Sequence, residues 1–375
     1  MPNKKIHIVS FDIPYPANYG GVIDVFYKLK SLHELGWKIH LHCFMYGRKK
    51  APALVEYCER VTYYPRDISK SKLFLKLPYI VSSRNNKHLL DVLLENKDPI
   101  LFEGLHTTFP LHDKRLKGRK IIVRTHNIEH EYYRHLGLAE SNLFKRYYFN
   151  SEATKLESYE PILNLTSSIA AISQTETTYF HKKFGKKAFY LPAFHPYENV
   201  TNKDKLGEYV LYHANLSVAE NHKAAMYLVR EIFNDLKINF IIAGNHPNTE
   251  LKAAIKARKN IQLIENPSTE KMENLISDAQ INILPAFQAT GIKLKLLAAL
   301  FIGRHVIVNS MMLEGTGLES LCVIANDAQT FKENTIRLFK IPLSIEDKTK
   351  RKILLEDEFS NIKNAKNLAK HLTSN

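Results

Sequence analysis

The sequence predicts an α/β protein of two tandem Rossmann-like, doubly wound units facing a shared cleft. Three observations carry this expectation. Short apolar runs alternate with longer segments of helical period. The alternation stops in a stretch rich in Pro, Asn and Lys, residues 191–208, and then starts again. Finally, 375 residues are too many for one hydrophobic core and suit two.

In the first half the strand runs are Ile6–Phe11, Ile39–Phe44, Val61–Tyr64, Ile100–Phe102, Ile121–Val123 and Ile169–Ile172. Helical patterns lie between them over Val22–Leu35, Lys87–Asn96 and Leu143–Tyr159. The β-α-β-α order implies a parallel sheet covered on both faces. After the break the strand runs are Tyr209–His213, Phe240–Ala243, Ile261–Ile264, Ile281–Leu284 and His305–Val308. The helices there fall at Glu220–Asn234, Glu250–Arg258, Glu270–Ser277 and Leu294–Phe301. The expected division is a first domain over 1–190, a linker over 191–208 and a second domain over 209–357. The tail 358–375 contains an amphipathic segment, Phe359–Leu372, expected to pack back onto the first domain.

Composition narrows the partners. A net charge of +15 asks for an anionic one: nucleic acid, a membrane surface or a phosphorylated small molecule. The chain carries no zinc finger, no RNA-recognition aromatic motif and no long basic tail, so nucleic acid is not expected. Residues 66–87 interleave Arg66, Lys70, Lys72, Lys76, Arg84 and Lys87 with Leu73, Phe74, Leu75, Leu77 and Ile80. Such a segment suits an anionic membrane surface, or equally a solvated helix face covering a sheet. No apolar run is long enough to span a bilayer, and the basic start is too short and polar for a signal peptide. Cys43, Cys58 and Cys322 lie in or beside apolar runs and read as buried free thiols, which fits a reducing cytoplasm.

One short motif suggests other chemistry. His126-Asn127-Ile128-Glu129-His130 reads H-x-x-E-H, an inverted zinc-hydrolase signature. That chelate needs both histidines on one helix face. The run before it is strand-like, which puts His126 at a strand-to-helix junction and spoils the geometry. No metal is expected.

In parallel sheets ligands bind at the carboxyl ends of strands, so those ends define the candidates. The first strand is followed by Asn18-Tyr19-Gly20-Gly21, where adjacent glycines and a helix start favour close approach of an anion. The fourth ends in Glu103, with His106 just beyond, and the fifth in Arg124, His126 and Asn127. In the second half the stretch 284–310 places a loop with Thr290 and Gly291 before a helix that begins near Lys293 and Lys295. Cations at a helix N-terminus oppose its dipole. A bound phosphate or diphosphate removes that conflict.

The runs PYPANYGGV, RTHNIEHEYY, AAISQTE, YHANLSVAENHKAA, FIIAGNHP and LPAFQATGIKLKLLAALFIGRHVIVN, the last the most specific, give the chain its family likeness. It resembles the GT-B glycosyltransferases, and within them the family 4-like retaining enzymes of bacterial surface-polysaccharide assembly. The resemblance covers nearly the whole chain. It implies a nucleotide diphosphate sugar held mainly by the second domain and a glycan or lipid-linked acceptor on the first. Lys295 and Lys293 would hold the donor diphosphate together with Thr290 and Gly291. Gly20 and Gly21 would line the site near it, and His126 would lie near the transferred sugar. Glu103, His106, Arg124 and Asn127 would serve the sugar or acceptor side. The resemblance implies a metal-independent hexosyltransferase without a cofactor, in the cytoplasm or peripheral on the inner face of the cell membrane.

Two departures stand out. The family's Glu-x7-Glu positions are Thr290 and Ala298 here, and Ala298 cannot accept a hydrogen bond from a ribose hydroxyl. The Arg and Lys expected in the first loop of the second domain are replaced by residues such as Asn215, Glu220 and Asn221. A nucleotide-sugar epimerase of the same architecture and a non-catalytic nucleotide-sugar-binding relative are therefore the alternatives.

Overall fold

A computed structural model describes residues 4–140, 142–288 and 293–373. They form two units, the first running to Pro196 and resuming at Glu358, the second between them from Tyr197 to Asp357. Each is built on its own all-parallel sheet.

The first sheet has seven strands in the order β3-β2-β1-β4-β5-β6-β7. In chain order they are β1 (Lys5–Ser10), β2 (Lys38–Met45), β3 (Arg60–Pro65), β4 (Ile100–Glu103), β5 (Ile121–Thr125), β6 (Ser168–Ala171) and β7 (Ala188–Tyr190). The central strands are buried on both faces because helices cover both. The helices are α1 (Gly20–Glu34), α2 (Tyr79–Ser82), α3 (Lys87–Leu94), α4 (Glu129–Ala139), α5 (Leu143–Tyr159) and α6 (Gln174–Phe184). Val25, Leu29 and Leu32 of α1 pack with Ile6, Ile8, Ile39 and Leu41 on one face. Leu89 and Leu93 of α3 pack with Val9, Phe44 and Phe102 on the other.

The second sheet has six strands in the order β10-β9-β8-β11-β12-β13. They are β8 (Val210–Asn215), β9 (Phe240–Asn245), β10 (Ile261–Glu265), β11 (Ile281–Leu284), β12 (His305–Val308) and β13 (Val323–Ile324). Its helices are α7 (Ala219–Tyr227), α8 (Thr249–Lys256), α9 (Thr269–Asp278), α10 (Leu294–Ile302), α11 (Ser310–Leu313), α12 (Ala328–Leu338) and α13 (Ile345–Glu358). Ala298 is buried in an apolar cluster with Leu211, Ala243, Leu275 and Ile276.

The last helix, α14 (Asn361–Thr373), belongs to the first unit. Its Ala365, Leu368 and Leu372 join the core beside α1. A reciprocal pair fixes its start: His195 N donates to Asn361 Oδ1 at 3.2 Å, and Asn361 Nδ2 donates to His195 O at 2.6 Å. Leu191 and Phe194 are buried in that same core, so the irregular stretch begins inside the first unit.

Cys43 and Cys58 are buried free thiols, whereas Cys322 is partly exposed. Residues 66–87 form no single helix face. Arg84 is buried, donating from Nη1 to Ile80 O at 2.6 Å and from Nη2 to Phe11 O at 3.0 Å. Arg66 stacks on Tyr46 at 4.2 Å, while Lys70, Lys76, Ile68, Phe74 and Leu75 are exposed. Among the described residues no helix is long and apolar enough to cross a membrane.

Candidate functional site

The strand orders place the candidates. Order reverses between β1 and β4 in the first sheet and between β8 and β11 in the second. At such a switch point adjacent loops leave in opposite directions and open a crevice at the carboxyl ends.

In the first unit the loop after β1 is held by side chains. Arg48 Nη1 donates to Ile13 O at 2.7 Å and to Pro16 O at 2.9 Å, and Tyr19 Oη donates to Asp12 Oδ2 at 2.8 Å. With Arg84 on its carbonyl, Phe11 is fixed with its ring 5.4 Å from those of both His106 and His126. Gly20 and Gly21 open α1, whose N-cap Tyr19 supplies no side-chain cap. A Cβ on Gly21 would come within 2.7 Å of the Phe11 ring, so the glycine is needed for this packing as well as for any ligand approach.

Below Phe11 lies a buried ion cluster. Lys28 Nζ donates to Asp24 Oδ2 at 2.9 Å and to Glu103 Oε1 at 2.7 Å. Arg124 Nη2 meets Asp24 Oδ1 at 3.0 Å, and the guanidinium also donates to the carbonyls of Leu191 and Pro192. His126 Nε2 lies 3.1 Å from Glu103 Oε2. Burial alone would raise the Asp24 carboxyl, but Arg124 and Lys28 hold it below the ordinary carboxylate range. Against the same burial, Lys28 and His126 hold Glu103 down as well. An ionised Glu103 only accepts, so His126 donates to it from Nε2, and Nδ1 lies 4.0 Å from Asp24 Oδ2. Asp24, Glu103 and His126 bring ligand atoms within 4.8 Å of one another, yet the Lys28 ammonium already stands as their cation.

Above this cluster buried polar atoms accumulate without partners. His106 Nδ1, His126 Nδ1, Asn127 Oδ1 and Glu129 Oε1 have no hydrogen-bond partner among the described residues. Buried polar atoms are normally paired, so these four, on the segments that follow β4 and β5, are the candidates for contact with a ligand. Gly104, at φ +71°, turns the chain there and leaves room for His106, whose Nδ1 would lie 2.7 Å from a Cβ. Burial, then Arg84 and His126, keep His106 well below its usual range. Burial, with Glu176 adding to it, pushes the Glu129 carboxyl up to about 8, so it is protonated at neutral pH. Its Oε1 is 3.9 Å from His106 Nδ1. The H-x-x-E-H motif does not converge: His126 precedes α4 and faces Glu103, whereas His130 lies within α4, 3.5 Å from Glu160.

In the second unit Lys293 is the N-cap of α10 and supplies no side-chain cap. Its Nζ donates to Gln288 O at 3.4 Å. Lys295 stands in the first turn, donating to Asn221 Oδ1 at 3.0 Å over the Tyr212 ring at 5.7 Å. Burial lowers Lys295 to about 8, with Glu220 opposing the shift and Lys293 adding to it. Glu220 Oε1 accepts from the backbone N–H groups of Phe287 and Gln288 at 3.3 and 3.1 Å, which fixes the loop leaving β11. His213, at the end of β8, has a buried Nε2 with no partner among the described residues. Burial and then Lys295 hold it down to about 3. Thr290 and Gly291 lie outside the described residues.

The strand-end residues were thus legible in the sequence, but Asp24, Lys28, Glu129, Asn221 and the loop-holding role of Glu220 were missed. Asp24 and Lys28 carried a signal: charges spaced i, i+4 among the buried positions of an amphipathic helix.

Two doubly wound parallel units make a fold of the GT-B type, the one shared by the solved glycosyltransferase structures below. More particularly, residues 207–340, most of the second unit, match the family model described as "Glycosyl transferases group 1". The chain is 29% identical over 361 residues, covering 90% of it and 91% of the relative, to an "uncharacterized 44.6 kDa protein in cps region" of Klebsiella pneumoniae. Solved structures agree in fold. A TarM variant of S. aureus in complex with fondaparinux, α-GlcNAc-glycerol and UDP superimposes with a TM-score of 0.68 at 11% identity, covering 99% of this chain and 100% of that one. The UDP-forming α,α-trehalose-phosphate synthase of Burkholderia xenovorans, in complex with glucose-6-phosphate, gives 0.65 at 12% identity over the same shares.

Proposed function

We propose that this chain transfers a sugar from a nucleotide diphosphate sugar to a hydroxyl of a glycan or lipid-linked acceptor, with retention and without a metal ion. The observation that carries the reading is Lys295: a desolvated ammonium at the start of α10, at a switch point, whose hydrogen-bond partner Asn221 is neutral. Its carboxylate neighbour Glu220 is engaged by the N–H groups of Phe287 and Gln288, so a diphosphate would be its direct ion-pair partner.

In this reading the bond between the anomeric carbon and the diphosphate oxygen breaks, and the nucleoside diphosphate leaves against Lys295, Lys293 and the N–H groups of α10. This electrostatic stabilisation is the largest catalytic contribution. The acceptor oxygen then bonds to the anomeric carbon from the face just vacated, and its proton passes to a phosphate oxygen of the leaving group. In the first unit His126 Nδ1 accepts from a hydroxyl of sugar or acceptor, and Glu103 fixes that tautomer. His106, Asn127 and the protonated Glu129 supply further hydrogen bonds. Arg124 and Glu103 act through His126 and the strand ends, as positioning residues. The family match, the UDP in the TarM complex and the cps-region relative support a nucleotide-sugar donor and a role in polysaccharide assembly.

The test is release of nucleoside diphosphate from a panel of UDP-, GDP- and dTDP-sugars with acceptor present. Lys295→Ala should lower turnover about 100- to 1,000-fold, the usual cost of one transition-state donor. Unchanged turnover would refute the assignment. Buried Ala298 favours one second reading, a binding relative that has lost turnover, since no side chain there reaches a ribose. Nucleotide binding without diphosphate release from any donor would select it.

We also assign exposed Phe74, 88% accessible, and Leu75 with Lys70 and Lys76 to an anionic membrane surface that carries a lipid-linked acceptor. Phe74→Asp should reduce co-flotation with phosphatidylglycerol vesicles several-fold. Equal flotation of both proteins removes the membrane from the proposal.

A further inference from the structure

The amino-terminal halves of β1 and β2, away from the strand ends just described, hold a second cluster of side chains that glycosyl transfer does not use. His7 on β1 is the register partner of His40 on β2, and His42 follows two residues later. Side chains two apart on a strand share a face, so a His-x-His pair and a third histidine on the adjoining strand converge. Their ring centroids lie 4.0 to 5.2 Å apart. One ring nitrogen from each lies within 4.8 Å of one from each of the others.

The outer atoms of the rings are held separately. His7 Nε2 lies 3.0 Å from Asn96 Oδ1, His40 Nε2 lies 3.0 Å from Thr62 Oγ1, and His42 Nδ1 lies 2.8 Å from Tyr64 Oη. The inner nitrogens of His7 and His42 face each other at 2.9 Å. One polar partner on the far nitrogen of each imidazole is how proteins fix the tautomer and direction of metal-ligating histidines. A simple hydrogen-bonded relay from Tyr64 through His42 and His7 to Asn96 accounts for two of the rings. It leaves His40, stacked on His42 at 4.0 Å, without a part.

We propose that His7, His40 and His42 form a binding site for a divalent transition-metal ion of the zinc type. Imidazole sets favour Zn, Cu and Ni over Mg and Ca. Three histidines with an open fourth position are an established zinc arrangement. Nitrogens bound tetrahedrally to zinc are about 3.3 Å apart, so the facing atoms of His7 and His42 need only a small shift, and a rotation of the His40 ring closes the set. His7 and His42 are buried, whereas His40 borders an open cavity of about 350 Å³ whose rim carries the ion pairs Lys38–Glu59 and Arg60–Glu95 and, besides them, Asp98. That cavity supplies the entry path and the water for the fourth position. On binding, the His42 proton moves from Nε2 to Nδ1 and is donated to Tyr64 Oη, so no proton need leave the protein.

The experiment uses the full chain, freed of any histidine tag and of metal by chelation. Zn²⁺ is titrated against a chromophoric chelator, and Co²⁺ is followed through its visible ligand-field bands. The expected result is one equivalent bound, with tetrahedral cobalt bands, and affinity lowered at least 30-fold in His40→Ala and in His40→Gln. The Gln variant keeps a group able to meet Thr62, so it separates lost ligation from lost packing. His222→Ala, at a partly buried histidine beside Glu250, should bind as the parent does. Melting temperatures without metal establish that the variants are folded. No stoichiometric uptake by the parent protein overturns the site, as does unchanged affinity in both folded His40 variants.

Discussion

The two switch points solve opposite electrostatic problems. In the first unit Asp24 and Glu103 face Lys28 and Arg124, two carboxylates against two cations, all buried. In the second unit Lys293 and Lys295 face a carbonyl and a neutral amide, and the nearby Glu220 is engaged by backbone N–H groups. The first cluster is complete without a ligand, so it serves to hold strand ends and to orient His126. In the second, Lys295 rests on a neutral amide while its carboxylate neighbour Glu220 is engaged elsewhere, an arrangement that a diphosphate would suit under the proposed function. Buried charge by itself therefore does not mark a ligand site; the two units differ in whether each buried charge has a directly bonded opposite charge.

The largest expected effect breaks the balance in the first unit. Removing one member of a buried ion network leaves another uncompensated, at a cost of roughly 3–5 kcal/mol. Arg124→Ala should lose about that much in urea or thermal unfolding, because Asp24 loses its bidentate partner and two carbonyls lose a donor. Lys295→Met should stay within about 1 kcal/mol of the parent, since it removes a desolvated cation that rests on a neutral amide. Equal destabilisation by both would erase the contrast between the units.

A second effect concerns pH. Asp24 and Glu103 titrate lower in the folded chain than unfolded, where the reference values are about 3.9 and 4.3. Their contribution is fully present above about pH 5 and is lost as pH falls through the folded values. Lys295 gives a slope of the same sign in a higher pH window, by relief of a penalty rather than by gain of a contact. Its folded value of about 8 lies below the unfolded 10.5, so between them the unfolded chain binds more protons and stability rises with pH. A bound diphosphate favours the charged ammonium, so binding above pH 8 takes up a proton. Nucleoside diphosphate affinity should fall by up to about tenfold per pH unit over that range. Calorimetry in buffers of different ionisation enthalpy reads this uptake. Lys295→Arg should flatten the profile, because a guanidinium stays charged throughout. An equally steep profile in the Arg variant would place the titrating group elsewhere.

How much of this was written in the sequence differs by scale. The runs Ile281–Leu284 and His305–Val308 and the helix Leu143–Tyr159 appear in the structure with the boundaries their periodicity gives. β7 and β13 were not visible, because three and two residues are too few to show a period. Strand ends were legible because order and handedness of a doubly wound sheet put them in one place. Their partners were not: Asp24 meets Arg124 across 100 positions, and Lys295 meets Asn221 across 74. Local pattern does not encode such pairings; only the closed sheet does. Asn221 is the clearest instance. It lies within α7, inside the helix its periodicity gives, yet its side chain spans from Asn215 O to Lys295 Nζ.

That bridge gives the smallest predicted effect and the finest test of the contrast. Asn221 Nδ2 donates to Asn215 O at 2.9 Å while Oδ1 accepts from Lys295 at 3.0 Å. Truncation to Ala removes the orienting partner but not the ammonium. A single neutral hydrogen bond is worth about 1 kcal/mol, so diphosphate affinity should fall about fivefold, far less than for Lys295→Ala. Asn221→Asp replaces the neutral amide by a carboxylate and supplies internally the charge that the ligand would bring. The ion pair should raise the Lys295 pKa, and the carboxylate should repel the incoming diphosphate. Affinity should then fall further than in Asn221→Ala, while thermal stability without nucleotide rises. If the Asp variant binds diphosphate as well as the parent, Lys295 was not waiting for an anion.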